Sequence, residues 1–411
     1  MINSKLIGST LIFAGTCIGA GMLALPLSAS GPGFLISVGL LCLAAFVSTW
    51  TSLLFLEALD KTPEDVQNFS SLSRYTLGPI GQFICVLACF TLLFSLSCAY
   101  VSGGTSLIYA SIEEFGFHFS KSTISAFYVL FVGSIVLSGH KTVDWLNRCL
   151  FSLKGICFII LIALLLPGIK APLLTDVKNS TPYVWSAIPV LFFSFGLQIV
   201  VPTIYHYLDE NVKLTRKAII IGSILPCVVY ILWLAVTLGV LPRYGERSYS
   251  TFFSQFNANQ IGDFFLYIYR GYSWIDIVTN LFAHIAIGTS YCTIALSLKD
   301  FIMDICRFPA SKRNNFIAVI IAFFPTLLLV IFAPDIFQVM LNFTAAVITI
   351  AFVFIPIAMV IRLKHDKRCH NKEGYTVSGG WPLQLTVTII GIILLVTGLL
   401  ASVGKLATLS G

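Results

Sequence analysis

Charge is what this chain has least of. Only 10% of its 411 residues are Asp, Glu, Lys or Arg, whereas soluble domains carry roughly 25%. Groupings that would carry chemistry are missing as well. There is no CxxC or HExxH, no pair of carboxylates inside an apolar run and no Ser-His-Asp-like set, which argues against an enzyme or a metal centre. None of the eleven cysteines falls in a predicted outside loop, so no disulfide framework is expected. No long polar stretch leaves room for a separate soluble domain, whether catalytic or signalling. Any binding chemistry must therefore lie inside the apolar part.

That apolar part is nearly the whole chain: 57% of residues are hydrophobic and the mean hydropathy is +0.92. Runs long enough to cross a bilayer, about 20 residues each, recur at 6–28, 33–57, 80–111, 122–138, 147–168, 183–207, 217–241, 273–298, 315–333, 335–361 and 382–404. The expectation is an all-α integral membrane protein of eleven transmembrane helices forming one domain over 1–411. Placing the N-terminus in the cytoplasm puts eighteen of the twenty-five Lys and Arg residues on the inner side, which satisfies the positive-inside rule and leaves the C-terminus outside. The net charge of +7 then orients the chain against an anionic inner leaflet and does not call for nucleic acid. A cleaved signal peptide is the competing reading of the first run: Lys5, the apolar stretch and Ser28-Ala29-Ser30 fit one. Gly15, Gly19, Gly21 and the span that follows at once do not.

Those glycines are the most informative feature present. The string Gly15-Thr16-Cys17-Ile18-Gly19-Ala20-Gly21 interrupts the first span, and Ser194-Phe195-Gly196, between Pro189 and Pro202, interrupts the sixth. Small residues of this kind also serve simply to let helices pack closely. Two interrupted spans at corresponding places in two halves of a chain, however, mark a transporter's binding site. If the first unwinds over Thr16–Gly21, the N–H groups of the following half-helix can receive a carboxylate. Carbonyls near Phe193 and Ser194 can face an ammonium, so a zwitterion fits between the breaks. Spans 1–5 and 6–10 each cross an odd number of times, giving halves of opposite topology, approximately 6–168 and 183–361, with 382–404 outside the repeat.

The residues also carry a resemblance. The opening GTCIGAGMLALPLSASGPGF is similar to that of the tyrosine and tryptophan permeases of the hydroxy/aromatic amino acid permease family. The likeness continues through Leu53–Glu57, Arg74-Tyr75, Ala99-Tyr100 with Ser102–Gly104, Val143-Asp144 with Asn147-Arg148 and Lys154, Ser186–Val190, Ser194–Gly196, Leu281–Ala283 with Thr289-Ser290, and Gly374-Tyr375. The resemblance implies a LeuT-like 5+5 inverted repeat with broken helices 1 and 6, and proton-coupled uptake of an aromatic amino acid, tyrosine first and tryptophan second. Two departures stand out. Relatives usually continue the second break with Phe-His-Gly, where this chain has Leu197-Gln198-Ile199, so any proton role of that histidine does not transfer. After Leu-Phe-Ala the family tends to have Asp, where this chain has His284.

Candidate proton carriers are the ionisable residues within spans: Lys154, His284, Glu57 and His206. Glu57 and His206 fall at predicted helix ends, where exposed charge is ordinary. His284 is either a histidine bonded within the bundle or a proton carrier. Lys154 is either a lysine snorkelling to the interface or, by analogy with proton-coupled relatives, an ammonium standing where sodium-coupled cousins hold sodium, near Thr289 and Ser290. For the substrate, the expected contacts are Thr16, Ile18, Gly19, Ala20, Gly21, Tyr100, Phe193, Ser194, Phe195, Gly196 and Gln198. Phe195 is the candidate to stack on a ring, Tyr100 to donate to the carboxylate, and Gln198 or Asn342 to meet a phenol. No cofactor, metal or ATP site is implied. The expected partners are an amino acid, protons and the lipid bilayer of the inner membrane, with no obligate protein partner. Sodium coupling, a tryptophan or phenylalanine preference, and a sensor that has lost transport are the alternatives.

Overall fold

The computed structural model describes residues 2–19, 21–63, 68–114, 116, 118–256, 264, 267, 273–309, 311–365 and 374–409. Among these, every regular element is helical, as hydrocarbon requires of a backbone that must satisfy its own polar groups. In chain order the principal elements are α1 (Ile2–Cys17), α2 (Gly21–Ser30), α3 (Phe34–Asp60), α4 (Phe69–Glu114), α5 (Lys121–Leu137), α6 (His140–Leu165), α7 (Val184–Phe193) and α8 (Val201–Tyr207). They continue as α9 (Val212–Leu238), α10 (Tyr249–Gln255), α11 (Ser273–Ile305), α12 (Lys312–Phe332), α13 (Phe337–Thr349), α14 (Ile355–His365) and α15 (Gly380–Ser402).

Among the described residues nine helical segments are long and apolar enough to cross a membrane, and the bent pair α1 and α2 makes a tenth if counted as one span. Eleven were expected. The difference is α5, apolar but 17 residues long, short of the roughly 20 that 30 Å of hydrocarbon asks of an untilted helix. Boundaries agree in some elements and shift in others. Gly78, at φ +78°, breaks α4 so that its membrane stretch starts at Pro79, close to the expected 80. In contrast, α6 starts at His140 rather than 147, capped by Gly139 at φ +100°, which places Asn147 and Arg148 two turns inside the helix.

Packing sorts the helices into two groups. One consists of α1, α2, α3, α7 and α9; the other of α4, α5, α11 and α12. Between them, α6 lies against α9 and α11, and α13 lies against α4, α7 and α15. The α1–α9 approach is close enough to require glycine at 222: a Cβ there would stand 2.5 Å from Phe13 Cβ and 3.3 Å from Thr10 O. This is small-residue packing of the membrane kind.

A short extended strap, 374–378, ties the chain before α15 back to the end of α3. Val377 N–H donates to Glu57 Oε2 at 2.8 Å and Tyr375 N–H to Asp60 Oδ2 at 2.8 Å. Residues 375 and 377 share one side of an extended segment, and positions 57 and 60 share one face of a helix, so the two sets are in register. Tyr205 Oη donates to Asp60 Oδ1 at 3.2 Å, and Lys61 Nζ reaches Glu57 at 2.7 Å and Thr376 Oγ1 at 3.2 Å. The Arg216 guanidinium stands 5.8 Å over the Tyr375 ring. Burial pushes the Tyr375 phenol up, and that guanidinium pulls the other way.

Glu57 thus differs from the exposed helix-end charge expected of it: it is 1% exposed and fully engaged. His206 is half-buried beside Glu210, 3.2 Å away, at the end of α8. Replacing Glu57 with alanine strands the Val377 N–H and Lys61, and is expected to destabilise the protein by about 1–3 kcal/mol. A melting-temperature comparison in detergent checks this, with Lys61→Ala expected to cost less because Glu57 keeps its backbone partner.

Candidate functional site

Unwinding a helix in an apolar medium frees carbonyls and N–H groups that need partners, and the partners here are specific side chains. In the first span α1 ends at Cys17 and α2 begins at Gly21, with a bend of 53°. Gly19 N–H turns back to Cys17 O at 2.7 Å, and Met22 N–H to Gly19 O at 3.2 Å. The carbonyl of Ile18, left over by this turn, accepts from Lys154 Nζ on α6 at 2.7 Å. Lys154 is only 5% exposed, and its Nζ sits 5.0 Å from the centroid of the Phe151 ring. It does not snorkel. A charge-assisted bond and a cation–π contact hold it inside the break.

The sixth span breaks after Phe193, where α7 ends; one 3-10 turn, Leu197–Val200, leads into α8. Phe195 O accepts from Leu197 N–H at 2.9 Å and from Ser48 Oγ on α3. Ser194 O, expected to face a substrate ammonium, is instead engaged by Tyr230 Oη of α9 at 2.9 Å. The same hydroxyl lies 2.5 Å from Cys17 O in the first break.

A cavity of about 790 Å³ lies against both breaks. It brings together Thr16, Ile18, Gly19, Gly21, Tyr100, Lys154, Phe193, Ser194, Gly196, Thr289 and Ser290, all of them expected at the site. The two breaks and α11 close tightly around it. A Cβ on Gly19 would stand 2.9 Å from Ser290 Oγ, and one on Gly21 would stand 2.9 Å from Phe193 Cε1. Thr289 spends its hydroxyl on its own helix, donating to Ile285 O at 2.8 Å. From the breaks the cavity runs towards Asn147 and Arg148, whose side chain is 79% exposed. Its apolar walls include Leu92, Leu96, Phe151 and Phe352.

Four expected residues lie elsewhere. Phe195 is turned away from the cavity and meets Tyr230 edge-on at 5.3 Å, so its ring is already stacked within the bundle. Gln198 gives its amide to Thr51 Oγ1 at 2.7 Å and Ser48 Oγ at 3.2 Å, a structural role that its polarity alone did not reveal. His284 bonds Ser111 Oγ at 3.1 Å, away from the cavity. Asn342 lines a separate space of about 120 Å³ near Ser28, Ser186 and Thr408. Ala20 lies outside the described residues.

The half-helix α2 is held at its other end as well. Arg243 is buried and donates to Ser30 O at 3.1 Å, to Lys178 O at 2.8 Å and to Gly31 O. It fixes the C-terminal end of α2, where a cation is favoured by the helix dipole. Tyr230 and Ser48 were missed by sequence reasoning, and nothing in Val228-Val229-Tyr230-Ile231 separates this tyrosine from the chain's others.

A model of the tryptophan/tyrosine permease family matches residues 2–398. The chain is 30% identical to Tyrosine-specific transport system 2 of Haemophilus influenzae, covering 100% of both chains. It is 29% identical to Glutamine transporter 2 of Aliivibrio fischeri, over 96% of this chain and 100% of that one. A solved structure of a manganese transporter from Eremococcus coleocola shares the fold, with a TM-score of 0.61 over 98% of this chain and 86% of that chain, at 13% identity.

The Gly19–Ser290 contact yields a test within the site. Gly19→Ala is expected to lower binding of the transported amino acid, because Ser290 Oγ must move. Adding Ser290→Ala is expected to restore much of it, since the Cβ of residue 290 is 4.0 Å away, an ordinary contact. A double-mutant cycle on uptake should show a coupling of about 0.5–3 kcal/mol.

Proposed function

Since the chain belongs to the tryptophan/tyrosine permease family, a family of transport permeases and not of enzymes, we propose that it imports an aromatic L-amino acid, tyrosine first, together with protons. The observation that carries the proton assignment is Lys154 Nζ on Ile18 O. An ammonium seated on a carbonyl of an unwound span, beside Thr289 and Ser290, takes the place an alkali cation would need. Losing that proton removes the charge assistance from this bond and loosens α6 from the first break, which links protonation to the geometry of the site.

The substrate assignment rests on the cavity. The first turn of α2 faces it at Gly21 and offers backbone N–H groups and a helix dipole to a carboxylate, with Tyr100 on the same wall. Phe193, Phe151 and Phe352 give a ring an apolar lodging. A polar side chain is the second reading: Asn147, Ser152, Thr293 and Ser297 line the same cavity, and a relative bears the name of a glutamine transporter. Thr16, Ile18, Gly19, Gly21, Ser194 and Gly196 are the binding contacts in either case.

The architecture fits eleven spans, with α5 tilted least or locally thinning the bilayer, and an inverted repeat over 6–168 and 183–361. The two packing groups, spans 1, 2, 6, 7 and spans 3, 4, 8, 9, support that repeat because they pair corresponding members of each half. In the inner membrane with the N-terminus in the cytoplasm, the cavity opens inward past Arg148, and Arg243 seals the outer end. The protein is then in its inward-facing state.

Uptake of labelled tyrosine into proteoliposomes tests the reading. Accumulation is expected with an inward proton gradient, with collapse under a protonophore and no response to a sodium gradient; excess tryptophan, phenylalanine and glutamine rank the substrates. Lys154→Gln is expected to abolish proton-driven accumulation while leaving substrate counterflow. Accumulation driven by sodium alone would overturn the role of Lys154 and move coupling to Thr289 and Ser290.

A further inference from the structure

Two carbonyl oxygens from different spans, Cys17 O and Ser194 O, converge on one phenol hydroxyl, at 2.5 Å and 2.9 Å. A phenol has one proton, so Tyr230 shares it between acceptors that belong to the two breaks. The side chain is 0% exposed, and its ring is fixed edge-on against Phe195. One turn along α9, Trp233 Nε1 donates to Met22 O at 3.0 Å. The helix therefore grips the first span on both sides of its interruption, Cys17 before it and Met22 after it, and through the same phenol it holds the end of α7. Gly222, two turns earlier, brings α9 against α1.

We propose that Tyr230 is the positioning residue that makes the two breaks one mechanical unit, its hydroxyl filling a carbonyl-lined position that would otherwise accept a small monovalent cation. The inference rests on the permease reading. Tyr230 does not line the cavity, but the residues of its two acceptors, Cys17 and Ser194, do, together with Ile18 and Gly196 close by. A substrate touching either break displaces a carbonyl that the other break also feels through the shared proton. With Lys154 on Ile18 O and Tyr230 on Cys17 O and Ser194 O, three carbonyls at the interruptions are met by donors of the protein itself. Carbonyls that converge from unwound backbone otherwise coordinate sodium in transporters built on broken helices.

Tyr230→Phe tests this, because the ring packing is kept and only the hydroxyl is removed. The variant, folded by size exclusion and melting profile, is expected to show a KM for the transported amino acid raised about tenfold or more with maximal rate little changed, the mark of lost positioning in the bound state. It is also expected to acquire a response to sodium or lithium that the wild type lacks, with KM falling back as the ion enters the vacated position; a merely structural tyrosine would not yield this. A wild-type KM, or a loss of uptake that neither ion alters, overturns the proposal. If wild-type protein transports none of the amino acids, the permease reading fails first, and a transport-independent measurement decides this one. Spin labels at positions 7 and 185, in α1 and α7 and both exposed, are placed on a background with accessible cysteines replaced. They should report one narrow distance in the wild type and a broadened one in Tyr230→Phe; identical distributions overturn the coupling.

Discussion

Everything at the centre of this protein follows from the cost of an unpaired backbone group in hydrocarbon. A helix satisfies itself; a broken helix does not, and each exposed N–H or C=O there costs several kcal/mol unless another group meets it. The chain breaks two spans and then supplies the partners from neighbours: Lys154 from α6, Tyr230 from α9 and Ser48 from α3. Each partner ties its own helix to a break. Helices that would otherwise be held by packing alone become geometrically dependent on the state of two short unwound segments.

The same constraint explains why the ends of the molecule differ. Around Arg243 the carbonyls at the end of α2 and in the segment before α7 are gathered by one guanidinium, whose planar fork can serve several acceptors at once. Towards Arg148 the cavity is lined by Asn147, Arg148, Ser152 and Thr293, and the Arg148 side chain is 79% exposed. The far ends of the half-helices α1 and α8 are tied by Lys5, in the first turn of α1, and Asp209, just past α8, paired at 2.7 Å.

Much of this was legible in the residues. Interruptions show as glycine and proline because backbone freedom has a local chemical signature, and a buried lysine in an apolar run announces itself by its cost. The positions of both breaks, and Lys154 between them, could therefore be read from one sequence. Side-chain direction could not. Phe195 and Gln198 lie at the second break and looked like substrate contacts, yet the unwound turn carries one onto Tyr230 and the following 3-10 turn carries the other onto Thr51. Tyr230 was hidden for the opposite reason: a tyrosine among Val and Ile is ordinary in a membrane helix, and its partners are backbone atoms, which carry no residue identity. Glu57 deceived through its position at a helix end, because the strap that buries it lies 320 residues further along the chain.

That separation bears on how the protein is made. The second span enters the bilayer early in synthesis, carrying a carboxylate whose final backbone partner has not yet left the ribosome. Lys61, one turn on, is available at once and neutralises it at 2.7 Å. The local ion pair thus acts as a placeholder through most of translation, and Val377 joins it only when the segment before the last helix arrives. Anchoring of α3 to the strap is therefore a late event in biogenesis, and a nascent chain that stalls before residue 377 carries every element of the cavity with its second span not yet anchored.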